Sequence, residues 1–328
     1  MIPHFIVNEK TNLILHFTFD FNKTTTLLSL QQPTKDGFKI IKEKTVDDLL
    51  RHAVSIGNHW LVATMKVRKW GSPAFIEEWD WETLELVKKY PIEHDRYGLM
   101  NFSISPKGDT VLIDRFFVEN DPDQNGCKIF SFPALTEVGA IPINSNLQSP
   151  TFDDTGDKLI VVHTDQGGAE TMLFERKNGK FDKKFQFAQR QVTADMTFTA
   201  VAYTKHGILL FSLFGYPDQL GLYDIDTGEC KFLNEIEKSA THIKEEIDPL
   251  YDYKNFEVIM SNVDLSIHAD ESYAYVGRLG SIFKIDISSG TVESAIEIPE
   301  LKYILQIKKL GNFLIAIDHA GKMGKIEI

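Results

Sequence analysis

Four residues of this 328-residue chain, Arg115, His163, Arg278 and Asp318, point most directly to chemistry by their types and spacing. An arginine fork takes a carboxylate or phosphate through two parallel hydrogen bonds. A histidine exchanges a proton near neutral pH, and an aspartate accepts one or holds a cation. They form a set because each stands seven residues beyond the start of a recurring turn-and-strand phrase, in company with Thr18, Thr64 and Phe214. Brought to one mouth of a repeat architecture, they would make a polar ring suited to an anion. The other reading is a row of solvated strand ends, since strand termini are polar in almost any β protein.

Three further groups have a chemical alternative to a structural role. Asp121, Asp123 and Asn125, followed by Gly126, match the first half of a calcium loop, in which oxygen ligands alternate around a glycine turn. The full pattern requires a bidentate Glu at position twelve, where Phe132 stands; Glu119 is the substitute that a non-helical loop offers. The same composition also fills exposed acidic β-loops. Lys66, Arg68 and Trp70 are a basic and aromatic cluster that either meets an acidic partner or forms a solvated edge. His94, Arg96 and Tyr97 enter a first strand and are candidate partner contacts. No Gly-x-Ser-x-Gly, phosphate-binding loop, dinucleotide fingerprint or His-Glu-x-x-His occurs. Cys127 and Cys230 stand about a hundred residues apart, which supports neither a disulfide framework nor a zinc site.

The elements that would position these residues come from a degenerate repeat. Turn-then-apolar phrases begin at residues 11, 57, 108, 156, 207, 271 and 311, between 40 and 64 residues apart. Clear copies are Gly108-Asp109-Thr110-Val111-Leu112-Ile113 and Gly156-Asp157-Lys158-Leu159-Ile160-Val161. Each is preceded by a short strand and followed by a loop, an alternating strand, a tight turn and a last strand, so four strands are expected per copy. Asn178-Gly179 marks one closing hairpin, because both residues tolerate positive φ.

Ile76-Glu77-Glu78-Trp79-Asp80-Trp81-Glu82-Thr83-Leu84-Glu85-Leu86 resembles the third strand, Trp-Asp dipeptide and turn of a WD repeat. Phe102–Gly108 and Tyr223–Glu229 are similar to the Ser-Pro-Asp-Gly and Asp-x-x-Thr-Gly turns of that family. The resemblance implies an all-β, seven-bladed β-propeller of four-stranded antiparallel sheets, one domain over 1–328. Ile243 and Ile247, ahead of Pro249, add an expected short helical excursion near 237–250. Residues 324–328 read as a third strand, so the last sheet lacks its outer strand. Closure by Phe5-Ile6-Val7 is expected, and an open edge guarded by Lys and Glu is the alternative.

The chain has 35 basic and 47 acidic side chains, a net charge of −12, 43% hydrophobic residues and a pI near 5.3. A nucleic-acid surface is disfavoured, because such binding draws on Lys and Arg meeting phosphates. No apolar run approaches membrane-spanning length, and a cytoplasmic location with no membrane partner is expected. The expected function is a non-enzymatic scaffold or adaptor for a protein partner, with a basic surface as the complement to the acidic charge. A cofactor is not expected, calcium at the Asp121 loop excepted. The alternative is a propeller hydrolase or lactonase using Arg115, His163, Arg278 and Asp318.

Overall fold

Strands with apolar residues on both faces cannot stop at one sheet; each needs cover on both sides. The computed structural model describes residues 2–20, 22–65, 74–92, 102–115, 126–141, 147–165, 168–188, 197–204, 207–214, 220–224, 230–233, 267–278, 280–302 and 304–328. Among them are strands and turns but no helix. The segment 237–250, where a helical excursion is expected, lies outside the described residues.

The strands form seven sheets, each in simple chain order. The first is β1 (Ile2–Asn8), β2 (Leu13–Asp20), β3 (Thr25–Thr34) and β4 (Gly37–Asp47). The second is β5 (Leu49–Ile56), β6 (His59–Met65), β7 (Ala74–Asp80) and β8 (Leu86–Ile92), and the third is β9 (Phe102–Ile104), β10 (Thr110–Arg115), β11 (Gly126–Ser131) and β12 (Thr136–Ile141). The fourth contains β13 (Leu147–Phe152), β14 (Lys158–Asp165), β15 (Gly168–Lys177) and β16 (Lys180–Ala188); the fifth contains β17 (Thr197–Thr204), β18 (Gly207–Phe214), β19 (Leu220–Tyr223) and β20 (Cys230–Leu233). The sixth is β21 (Ile267–Ala269), β22 (Tyr273–Arg278), β23 (Ser281–Asp286) and β24 (Thr291–Glu297). The seventh has three strands, β25 (Ile304–Leu310), β26 (Phe313–Asp318) and β27 (Met323–Glu327). All seven repeat phrases are the second strands of these sheets. The expected closure is corrected: Phe5-Ile6-Val7 lies in β1, which pairs with β2 in the first sheet, and among the described residues the seventh sheet has three strands.

The chain divides into two compact units, Met1–Thr18 with Ser29–Glu43 and Asp195–Ile328, and Phe19–Leu28 with Lys44–Ala194. In the second unit, β9 lies beside both β5 and β13, so first strand neighbours first strand. Val111 and Ile113 of β10 pack with Leu61, Ala63 and Ile76, whereas Leu112 between them packs with Leu159, Val161 and Met172. Successive residues of one strand thus enter two different sheet interfaces, which follows from the two-residue side-chain period. The first unit repeats this logic. There β21 lies beside β17 and β25, and β25 beside β1. Leu314 and Ala316 face Tyr275 and Ile282, while Ile315 and Ile317 face Phe5 and Ile14. Gln306, buried on β25, accepts the Phe5 N–H at 2.8 Å and donates to the Phe5 carbonyl at 2.7 Å, so β25 holds β1 through a side chain that satisfies both backbone groups.

Four of the seven phrases open on the same glycine turn, and the phrase at Glu271 makes the same carbonyl bond without a glycine. Gly57, Gly108, Gly156 and Gly311 have φ between +58° and +71°, a left-handed region that strains other residues. The following residue then offers its carbonyl to the end of the third strand. The Trp81, Phe132, Arg176, Ile287 and Ile328 N–H groups donate to Asn58, Asp109, Asp157, Ser272 and Asn312 over 2.6–3.1 Å. Asn178 and Gly179 take φ of 52° and 79° between the paired residues Lys177 and Lys180, the expected two-residue hairpin.

Gly108→Ala and Gly311→Ala separate backbone strain from packing. A Cβ at Gly311 has nothing within 4 Å, but one at Gly108 falls 2.1 Å from Ile56 Cδ1. In urea unfolding, Gly311→Ala should lose about 1–2 kcal/mol from the left-handed conformation alone, and Gly108→Ala should lose more. Equal losses would mean that the Ile56 side chain yields without cost.

Candidate functional site

The aligned second-strand positions are the sequence-derived site, and the structure gives each a place. Thr18 and Thr64 lie near the ends of β2 and β6. Arg115, Phe214, Arg278 and Asp318 end β10, β18, β22 and β26, and His163 lies two residues before the end of β14. Across the ladders His163 stands opposite Leu147, Arg115 opposite Gly126, Arg278 opposite Ser281 and Asp318 opposite Ile304. Among the four chemical candidates, Asp318 is the one whose side chain is described. It is buried, and its Oδ1 accepts the N–H groups of Ala320 and Lys322 at 2.9 Å each, while Oδ2 accepts Lys302 N–H at 3.4 Å. That carboxylate is committed to the β26–β27 turn. Thr64 is buried with its hydroxyl near the Phe75 carbonyl, and Thr18 Oγ1 meets His16 Nε2 at 3.2 Å.

Asp121, Asp123 and Asn125, together with Lys66, Arg68, Trp70, His94, Arg96 and Tyr97, lie outside the described residues. Among the described residues no group of three or more His, Cys, Asp or Glu is arranged to hold a metal ion.

Two charged clusters were not visible as sets in the sequence. The first surrounds the Trp79-Asp80 dipeptide, which ends β7, the third strand of its sheet. Asp80 Oδ1 accepts the Glu82 and Thr83 N–H groups and the Thr83 hydroxyl at 2.7–3.1 Å, an Asx turn that lowers the pKa of Asp80. Trp79 stacks on Trp60 at 5.4 Å and donates its indole N–H to buried Glu77 at 3.0 Å; Lys89 neutralises Glu77 at 2.5 Å. Beside them His59 Nδ1 lies 2.6 Å from Glu78, which also accepts the Tyr90 hydroxyl at 3.0 Å. Burial, and then the hydrogen bond to the charged Glu78, raise the Tyr90 pKa. The imidazole is thereby oriented, but its other nitrogen lies 4.0 Å from Asp80, a second acid rather than a nucleophile.

The second cluster joins the third and fourth sheets. Arg176 donates from Nη1 to Asp109 Oδ2 at 2.9 Å and from Nη2 to Oδ1 at 3.3 Å, a bidentate pair, and also to Thr110 Oγ1. Its Nε lies 3.7 Å from Asp157, and Phe181 covers the guanidinium at 5.0 Å. The Arg176 bonds, helped by Ser105 and Thr110, hold the Asp109 pKa down to about 2 against the opposing effect of burial. Arg176 stands where the other sheets place Trp81, Phe132, Ile287 and Ile328. The available signal was a basic residue at a position that is apolar in four other sheets, matched by the acid in Gly108-Asp109.

Two histidines are held neutral. Burial lowers the pKa of His16 to about 4, and also that of His268, where nearby Lys308 and Lys309 reinforce the effect and Asp270 opposes it. His268 Nε2 is buried without a hydrogen-bond partner among the described residues.

Comparison of the chain with protein-family models and with curated proteins finds no match. The repeat and the local chemistry therefore carry the functional argument.

Two outcomes test this electrostatic description. Arg176→Ala should cost about 1–2 kcal/mol in chemical denaturation, the pair being partly exposed, and should cost clearly less when Asp109 is already Ala. Additive losses would mean that the pair is not coupled. The histidines, with folded pKa values below the unfolded value near 6.5, contribute stability that is fully present above pH 6.5 and lost as pH falls toward 4. The urea midpoint should fall between pH 7 and pH 4.5, and less steeply in His16→Gln/His268→Phe. Asp109 adds little in that window, because the stability from its depressed pKa is lost only as pH falls from the ordinary value of 3.8 toward about 2.

Proposed function

We propose that the chain is a cytoplasmic, WD-like seven-bladed propeller acting as a non-enzymatic protein-interaction module. The observation that carries this reading is the repeated second strand, divided residue by residue between two neighbouring sheets, with first strand beside first strand within each unit. Small four-stranded sheets packed in this way are the building principle of propellers. The third-strand bond to the turn carbonyl, present in five sheets, supports a common repeat unit.

The disposition of charge supports binding over catalysis. Glu77, Glu78, Asp80, Asp109 and Asp318 are all engaged in ion pairs, turns or ring hydrogen bonds. A hydrolase built on Arg115, His163, Arg278 and Asp318 needs an Asp318 carboxylate available to substrate, whereas this one caps its own turn. The net charge of −12 favours a partner with a basic surface, whose association is steered electrostatically.

Affinity capture with the tagged full chain, read by mass spectrometry against a heat-unfolded control, tests the reading. A specific partner with a basic surface is expected, its recovery falling as salt rises from 50 to 500 mM (roughly, over the range in which exposed charges become screened). Absence of any specific partner, joined to loss of an ester- or lactone-cleaving activity in Arg115→Ala or His163→Ala, would turn the assignment to an enzyme.

A further inference from the structure

The three-stranded seventh sheet ends in a strand whose chemistry is completed elsewhere in the chain. In the sixth sheet Lys284 of β23 lies 3.6 Å from the Tyr273 ring centre and bonds Glu293 of the outer strand β24 at 3.0 Å. Lys325 of β27 holds the same place. It stands three residues before Ile328, as Lys284 stands three before Ile287, and both isoleucines donate to the turn carbonyl. It lies 4.5 Å from the ring centre of Phe313, which opens its second strand as Tyr273 does. Among the described residues no carboxylate takes the place of Glu293, and the ammonium turns to the carbonyls of Thr34 and Lys35.

The missing pair belongs to a wider pattern. Third and fourth strands are also joined by Glu77 with Lys89 at 2.5 Å, Lys128 with Glu137 at 2.9 Å, and Glu175 with Lys184 at 3.0 Å. The fourth strands add apolar cover as well, with Ile92, Ile141 and Phe181 buried. At the seventh sheet Ile326 is only partly buried and Ile328 is exposed.

We propose that the edge of β27 is a strand-addition site for an extended acidic segment of a partner protein, with apolar residues at alternate positions and a carboxylate opposite Lys325. This rests on the interaction-module reading and gives that module a surface: the acidic strand is a local element of a partner whose remaining surface is the basic one that the net charge of −12 favours. Backbone pairing along a sheet edge supplies affinity, and the alternating side chains supply selection. A carboxylate offers Lys325 a charge-assisted bond that the neutral carbonyls of Thr34 and Lys35 do not. A second copy of this chain fits less well. Lys325 is the central residue of Met323–Glu327, so centred antiparallel pairing of two β27 edges sets Lys325 against Lys325, and like charges directly opposite each other are destabilising.

The probe is a labelled synthetic peptide with the β24 sequence and its flanks, residues 290–298, titrated against the full chain by fluorescence anisotropy. Saturable binding is expected, with slowed amide exchange in Met323–Glu327. A peptide with Glu293→Lys should bind about fivefold more weakly, the size of an exposed ion pair. In the Lys325→Glu protein the preference should reverse, and recovery by the Lys peptide shows that this variant is folded. No binding at millimolar peptide, equal binding of both peptides, protection at β23 instead of β27, or a dimer that excludes the peptide would each overturn the proposal. If the peptide fails while the full chain still captures a basic partner, the edge is removed and the interaction-module reading stands.

Discussion

The constraint on which this structure depends is that its second strands are apolar on both faces. A single four-stranded sheet cannot bury Val111, Leu112 and Ile113 together, because adjacent residues point to opposite sides. Burial is achieved by giving Leu112 to the fourth sheet and its two neighbours to the second. The same division of Leu314 and Ala316 from Ile315 and Ile317 couples the sixth sheet to the first through the seventh. Within its own unit, each of these two sheets is therefore both core and cover for its neighbours, so the stability of adjacent sheets is shared.

The acidic excess acquires a local meaning in this frame. Asp80, Asp153, Asp270, Asp286 and Asp318 accept backbone N–H groups in turns that link strands. Lysines answer on several outer strands, as Lys89 and Lys184 do toward acids on the third strands. Such edge lysines also discourage uncontrolled pairing of exposed strands. Much of the net charge is thus tied to the way the repeat turns and ends, and only the remainder is available to a partner.

The sequence made the repeat legible because its strongest signal, turn then continuous apolar run, coincides with the strands that are buried on both faces. All seven such phrases are second strands, and the missing outer strand of the last sheet followed from counting onward from Gly311. The role of Phe5-Ile6-Val7 was misread because an apolar alternating strand fits an inner or an outer edge equally well; what decides is Gln306, a partner far away in the chain. Likewise Asp318 looked available by type and spacing, and only the path of the following turn shows its oxygens occupied. Arg176 with Asp109, and His59 with Glu78, depend on packing between sheets or on register across a hairpin, which one-dimensional spacing does not encode.

The Gln306 clasp on Phe5 also sets an order of events during synthesis. Residues 44–194, nearly all of one unit, emerge as one continuous stretch and can pack as soon as they are made. The sheet that begins with β1 emerges earlier, yet its inner strand finds its buried partner only after residue 306 has been translated. The oldest part of the nascent chain must therefore wait for the youngest, with Phe5 and Ile14 still uncovered by Leu310, Ile315 and Ile317. Exposed apolar strands during such a delay are the species that chaperones bind and that aggregate when they are not held.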